Sequence, residues 1–240
     1  MDNALDGKVA LVIGGGRGIG AAVARKLAGA GAGMALTYQR DQASAEAVAA
    51  SVAGPAIAFQ ADSADPGAVT TAVDRTVAEL GRLDILVNNA GAFRLGPLDQ
   101  LTSGDLEETI AVNIRAPFLA CQAAARHLPA GGRIISIGSN VAERAVFPGF
   151  SLYSMSKTAL TGLTKALARE LGPRAITVNL VNPGPTDTDL NPPDATIAAL
   201  TALGHYAEPA DIAAAVAFLA GPEARYVTGA TVNVDGGFTA

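Results

Sequence analysis

Seven short runs rich in Val, Ile and Leu recur along the chain: KVALVI (8–13), GMALTY (33–38), AIAFQ (56–60), LDILVN (83–88), RIISIG (133–138), AITVNLV (175–181) and TVNVD (231–235). Longer segments with helical spacing lie between most of them, among them 18–30, 66–80 and 151–171. Alternation of this kind predicts βαβ units and a mainly parallel sheet. The runs are apolar throughout, as expected of strands covered by helices on both faces. The expected fold class is α/β: one doubly wound parallel sheet in a single domain over 1–240.

The length of 240 residues suits one large α/β domain. No linker, repeat or low-complexity run divides it. Only 16% of residues are charged, and the net charge of −5 argues against a nucleic-acid surface, which needs clustered Lys and Arg. Cys121 is the single cysteine, so no intramolecular disulfide can form. In FLACQAAA it reads as a small core residue. The opening MDNALDGKVALVIGGG has no basic leader before a cleavable apolar region. The longest charge-free stretch, 47–61, falls short of the roughly 20 apolar residues that span a membrane. The expectation is a cytoplasmic protein with no membrane partner.

Residues 182–211, NPGPTDTDLNPPDATIAALTALGHYAEPAD, interrupt the alternation and hold a possible short helix near 195–203. Ligands of open α/β sheets bind beyond the carboxyl ends of the strands. This segment follows a strand directly, so about 186–208 is a candidate lid.

VALVIGGGRGIGAAVARKLAGAG (9–31) passes from strand to glycine turn to helix. Glycines let backbone N–H groups approach a pyrophosphate, and the helix N-terminus favours that anion. The placement predicts a Rossmann-type dinucleotide site touched by Gly14, Gly16, Arg17, Gly18, Ile19 and Gly20. An acidic residue after the second strand would accept from a ribose hydroxyl. Here the strand ends in Tyr38, followed by Gln39 and Arg40. Asp41 reads as a helix cap. Arg17 and Arg40 suit a 2′-phosphate, which favours NADP(H) over NAD(H); the alternative is two solvated arginines. Asp62, beside Ser63, is either an acceptor for the adenine amino group or a helix cap.

The chain resembles the short-chain dehydrogenase/reductase family. GGGRGIG (14–20), NNAG (88–91), VNIRAPF (112–118), YSMSK (153–157), NPGPTDT (182–188) and VDGG (234–237) stand in the family's order at suitable intervals. The resemblance implies NADPH-dependent hydride transfer to a carbonyl, with Tyr153 as general acid, Lys157 as its electrostatic helper and cofactor-ribose ligand, and Asn113 in a proton relay. The chemistry also stands alone. Tyr153 and Lys157 are i and i+4, on one helical face. A cation near a phenol stabilises the phenolate, and lowering its pKa by about three units takes roughly 4 kcal/mol.

The family's substrate-orienting serine precedes the tyrosine by thirteen residues, a position held here by Asn140; Ser139 is one further back. Some members, among them hydroxynaphthalene-reductase-like proteins, use the longer spacing. Ser139 is favoured because it directly follows the strand end IISIG, and Asn140 remains the alternative. A second departure is Ile13, where the family often carries a threonine that ties the glycine turn. Asn88 and Asn89 are expected to satisfy backbone groups of neighbouring strands. Asn89, Ala90, Gly91, Pro183, Gly184, Thr186 and Thr188 are the remaining expected cofactor contacts. His127 reads as a helix-end residue and His205 lies in the lid; neither has partners at metal-ligand spacing, so no metal is expected.

Between Arg174 and Arg225 there is no Lys or Arg, while Asp187, Asp189, Asp194, Glu208 and Asp211 are acidic. An acyl-carrier or coenzyme A thioester would prefer cations, so the expected substrate is a small neutral or cyclic ketone. Asn140, Ala142, Phe147, Phe150, Leu190 and Leu203 are its expected pocket. Basic residues such as Arg94 or Arg126 would favour the alternative, a 3-oxoacyl-[acyl-carrier-protein] reductase. A non-catalytic NADP(H) sensor is the rival of another class. The resemblance also implies a homotetramer, formed through helices near 114–128 and 151–171.

Overall fold

A computed structural model describes residues 3–240. Seven strands form one parallel sheet: β1 Val9–Ile13, β2 Gly33–Tyr38, β3 Ala56–Gln60, β4 Ile85–Asn88, β5 Arg133–Ile137, β6 Thr177–Pro183 and β7 Thr231–Val234, in the order β3-β2-β1-β4-β5-β6-β7. All seven apolar runs became strands. Six neighbour pairings are parallel, and the register sets Ile13 beside Asn88, Asn88 beside Ser136, and Ile137 beside Val181. The carboxyl ends of the central strands therefore share one edge.

Successive strand side chains point to opposite faces. Val12, Val87, Ile135 and Val181 enter one core, with helices α1 (Gly18–Gly29) and α8 (Pro209–Ala220). Their neighbours Leu11, Leu86, Ile134 and Val178 enter the other, with α3 (Pro66–Leu80), α5 (Ala116–Ala124) and α6 (Ser151–Leu171). Each continuous apolar run thus supplies two cores at once. The remaining helices are α2 (Gln42–Ala50), α4 (Ser103–Ile110) and α7 (Ala195–Ala198).

Caps explain several boundaries. Asp41 accepts from Ser44 N at 3.0 Å and opens α2, as expected. The cap of α3 is Asp65, which accepts from Gly67 N at 2.8 Å, followed by Pro66 in the first turn. Asp62 is therefore not a helix cap; its carboxylate closes a local turn onto Ala64 N at 2.9 Å.

The helix expected over 114–128 is continuous with α4 on its N-terminal side and ends earlier, at Ala124. Residues Ala111–Arg115 form a π-helical segment before α5. Pro117 has no N–H to return to residue 113. The ladder widens there, with Ala116 N bonded to Ala111 O. The helix expected near 195–203 stops at Ala198, whose carbonyl accepts from Thr201 Oγ1 at 2.8 Å.

Candidate active site

A cavity of about 660 Å³ opens beyond the carboxyl edge of the sheet. One wall is the glycine turn. Gly14 adopts φ +77°, a conformation costly for any residue with a Cβ. A Cβ there would also stand 3.0 Å from Ala90 Cα. Gly20 packs behind the turn, where a Cβ would overlap Gly14 O and Asn89 Nδ2. Asn89 Nδ2 donates to Gly14 O at 2.7 Å, joining β4's end to the turn as expected. Asn88 behaves differently from expectation. Its amide donates to the side chains of Ser136 (3.3 Å) and Cys121 (3.4 Å), because it points into the core rather than across the strand ends.

The hydroxyl absent at position 13 is supplied from elsewhere. Thr37, buried on β2, accepts from Gly14 N at 2.9 Å through Oγ1, and its carbonyl accepts from Gly15 N at 3.0 Å. The residue was invisible to motif matching because the tie comes from a neighbouring strand. Thr37→Val leaves the Gly14 N–H without that acceptor at a part-buried site. A loss of about 1–3 kcal/mol is expected, read as a lower denaturant midpoint at unchanged slope.

Gly14, Gly16, Arg17, Gly18 and Ile19 line the cavity from the turn, and Tyr38, Gln39 and Arg40 line it from the end of β2. Neither Arg17 nor Arg40 forms an ion pair among the described residues. Asp62 and Ser63 lie outside the lining. Ala90 and Gly91 face in from the loop after β4, and Pro183, Gly184, Thr186 and Thr188 from the segment after β6. Thr188 leans over the turn, so that a Cβ on Gly18 would stand 3.4 Å from its methyl group. The Thr186 hydroxyl donates to Gly184 O at 3.0 Å, which leaves its backbone to face the cavity.

Tyr153 and Lys157 rise from the first turns of α6 into the floor of the same cavity. Lys157 is 4% exposed, and Nζ donates to Ile137 O at 3.0 Å. It has no carboxylate partner among the described residues. Burial pulls its pKa down to about 8. Its ammonium stands 5.8 Å from the centre of the Tyr153 ring. Burial pushes the Tyr153 phenol up to about 12, while Ser139 acts in the opposite sense through a hydrogen bond. The phenol was expected below its ordinary value. Desolvation dominates, while the ammonium is bonded to the Ile137 carbonyl and stands beside the ring rather than figuring among the causes of the shift.

Ser139 and Asn140 both line the cavity with Tyr153, and Ser139 is the one of the two that bears on the phenol through a hydrogen bond. Ser139 sits two residues past β5, and its N–H donates to Asn182 Oδ1 at 3.2 Å. A 3₁₀ turn, Asn140–Ala142, follows Ser139 directly. That turn is tied to α6 by Ser154 Oγ, which donates to Val141 O at 2.6 Å, and by Thr158 Oγ1, which donates to Ala142 O at 3.3 Å. Asn140 is buried and lines the cavity beside the serine. Asn182, at the end of β6, is the positioning residue that sequence inspection passed over.

Asn113 lies in the π-helical segment and does not line the cavity. Its Oδ1 accepts from Ala92 N at 2.7 Å, and Nδ2 donates to Ala92 O and Ser156 Oγ, both at 2.9 Å. Its amide therefore clamps the loop after β4 to α6.

Of the expected substrate pocket, Asn140, Phe147, Phe150 and Leu190 line the cavity, whereas Ala142 and Leu203 do not. Ala142 faces α6 through the 3₁₀ turn, and Val141 and Val146 line the wall in its place. Leu203 is 68% exposed, carried outward by a backbone bond from its N–H to Gly236 O. His205 also faces outward, with Nδ1 against Tyr206 O at 2.8 Å. Phe93 and Ile197 line the cavity without having been expected. His127 pairs with Asp74 at 2.8 Å just beyond α5.

A family model described as Enoyl-(Acyl carrier protein) reductase matches residues 14–239. The cyclic-di-GMP-binding biofilm dispersal mediator protein of Escherichia coli K12 is 42% identical over 246 residues, covering 99% of each chain. A short-chain dehydrogenase from Burkholderia cenocepacia J2315, solved in complex with NADP, is 53% identical with a TM-score of 0.97, covering 99% of this chain and 100% of that one. A short-chain dehydrogenase/reductase from Serratia marcescens BCRC 10948 is 52% identical at the same TM-score and the same coverage. With the strand order, the glycine turn and the Ser139–Tyr153–Lys157 group in place, the chain belongs to the short-chain dehydrogenase/reductase family.

Proposed function

We propose that this protein is an NADP(H)-dependent oxidoreductase that reduces the carbonyl of a small neutral ketone, with Tyr153 as general acid. One observation carries the reading. Ser139, Tyr153 and Lys157 line the same cavity as the glycine turn and its two arginines.

The residues fit a bound dinucleotide. The turn at Gly14 leaves no space for a side chain, and the α1 N-terminus follows it. Relatives solved with NADP or NADPH support the cofactor assignment. Bound there, the reduced nicotinamide supplies a hydride to the carbonyl carbon. Lys157 uses one donor on Ile137 O, which leaves two for a ribose. Ser139 holds the carbonyl oxygen, and Tyr153 gives that oxygen its proton. Lys157, charged below about pH 8, stabilises the phenolate left behind. The segment 186–208 closes over the site as a lid, and Asn113 holds the loop opposite it.

Arg17 and Arg40 would grip the 2′-phosphate. Replacing both with serine is expected to weaken NADPH binding at least ~10-fold and leave NADH binding within ~3-fold, read by calorimetric titration. Equal loss for the two cofactors would remove the 2′-phosphate role.

The exposed Phe118 and Met155, on α5 and α6, support a homotetramer formed through those helices. A Cβ added to Gly162 on α6 would meet nothing within 4 Å, as an open packing face requires.

The family model's description favours an acyl-carrier thioester as a second reading. The cations that would support it are occupied. Arg94 pairs with Glu108 at 2.7 Å and Arg126 with Asp74 at 3.6 Å. The acidity of the lid weighs less than the sequence implied, since Asp194, Glu208 and Asp211 cap helices. The name of the Escherichia coli relative favours a nucleotide-responsive regulator. A ketone panel followed by NADPH absorbance separates the three. Turnover of small ketones supports the proposal, preference for 3-oxoacyl thioesters supports the second reading, and no oxidation with any carbonyl supports the regulator.

A further inference from the structure

Phe93 follows the loop after β4 and is 44% exposed, into the cavity that holds Tyr153. Its ring meets the Tyr153 ring edge to face, with centroids 4.8 Å apart and planes at 87°. Phe150 stands 6.2 Å from Phe93 at 70°, and Phe147 stands 6.1 Å from Phe150 at 38°. Three phenylalanines thus form an unbroken row of rings running outward from the proposed acid. A phenylalanine left open to water is unfavourable, so an apolar group that entered the cavity and covered this row would gain free energy.

Val141, Val146, Leu190 and Ile197 line the same cavity, with Asn140, Asp189 and Asn191 as its polar members on this side. Arg94, next to Phe93 in the chain, pairs with Glu108 and Asp105, and Arg144, near Phe147, donates to Phe238 O at 2.7 Å.

We propose that the substrate is an aryl ketone whose ring packs against Phe93, and that Phe93 sets this preference. The inference rests on the carbonyl-reductase reading and narrows its substrate class. Aromatic pairs in edge-to-face or offset geometry gain free energy beyond their buried area. A saturated ring of equal size buries similar area without that gain. The clamp of Asn113 on both polar groups of Ala92 fixes the residue before Phe93, so the ring is pre-oriented. Pre-orientation lowers the entropy lost on binding.

The test compares acetophenone with cyclohexyl methyl ketone in wild type and Phe93→Leu, with NADPH. Leucine keeps an apolar side chain and removes the aromatic one. Wild type is expected to prefer the aryl ketone ~3–10-fold in kcat/KM, and the variant to lose most of that preference. An equal fall for both ketones would mean that Phe93 only positions Tyr153, and would overturn the proposal. So would an unchanged ratio. If wild type reduces neither ketone, the carbonyl-reductase reading fails separately. The ring preference is then read by calorimetry with the two ketones on the NADP-loaded protein, where equal affinity overturns it and tighter aryl binding that is lost in Phe93→Leu sustains it.

Discussion

Tyr153→Phe is expected to lower ketone reduction by about 10²- to 10⁴-fold, the usual worth of a positioned general acid. The substitution removes one oxygen and keeps the ring, so the edge-to-face contact with Phe93 survives. The cavity keeps its shape, and NADPH affinity should stay within ~3-fold of wild type. kcat should carry the loss, because the proton is needed only in the transition state. Burial holds the phenol at about 12, so it remains protonated through the working pH range. The pH dependence should instead come from Lys157. Activity is expected to be flat below about pH 8 and to fall above it, as the ammonium that stabilises the phenolate is lost. Retained turnover in Tyr153→Phe, measured by NADPH absorbance, would refute the assigned acid.

Lys157→Met should do two opposite things. It removes the cation beside Tyr153 and is expected to abolish measurable reduction. It should also make the cofactor-free protein more stable at pH 7. The ammonium is buried, and the fall of its pKa from 10.5 to about 8 corresponds to a cost of about 3 kcal/mol. Methionine fills similar space without charge but leaves Ile137 O without its partner, which costs about 1 kcal/mol. The net gain of about 2 kcal/mol should raise Tm by roughly 4–8 °C. Its sign depends on pH in a definite way. Below about pH 8 both folded and unfolded chains carry the proton, and the whole cost is present in wild type. Between about 8 and 10.5 the unfolded chain binds more protons than the folded one, so wild-type stability rises with pH relative to the variant. Above 10.5 the cost of the buried charge is gone, and the variant should be the less stable by about the 1 kcal/mol of the lost hydrogen bond. A variant less stable than wild type at pH 7, by thermal or urea unfolding, would contradict this account. Carrying such a cost is intelligible if the charge is retained for function.

The same two residues mark how far the chain could be read without its fold. Their spacing placed them on one helical face, and α6 runs over the residues expected of it, Ser151–Leu171. Strands were legible for a similar reason. GMALTY and AIAFQ are local apolar runs, and both became strands without a shift at either end. The break before α5 was less legible, because Pro117 acts through a bond it cannot make to a residue four positions earlier. The burial that pushes the Tyr153 phenol up was not legible, because a spacing of four shows proximity to a cation but says nothing of burial.

Helix faces, strand runs, caps and the glycine turn depend on residues a few positions apart, so the amino-acid order alone was enough to specify them. That covers the α/β class, the Tyr153–Lys157 pair and the cap at Asp41. Other features depend on contacts between distant segments, and only folding brings those together. Thr37 reaches Gly14 from the next strand at 2.9 Å, which resolves the missing hydroxyl at position 13. Asn182 holds the backbone of Ser139 from across β5 and β6. The turn Asn140–Ala142 is tied down by α6, and that long-range contact sets Ser139 and Asn140 in the cavity beside Tyr153. The row of rings begun by Phe93 likewise appears only when the loop after β4 is folded against α6, since a phenylalanine after NNAGA carries no local signal of what it will face.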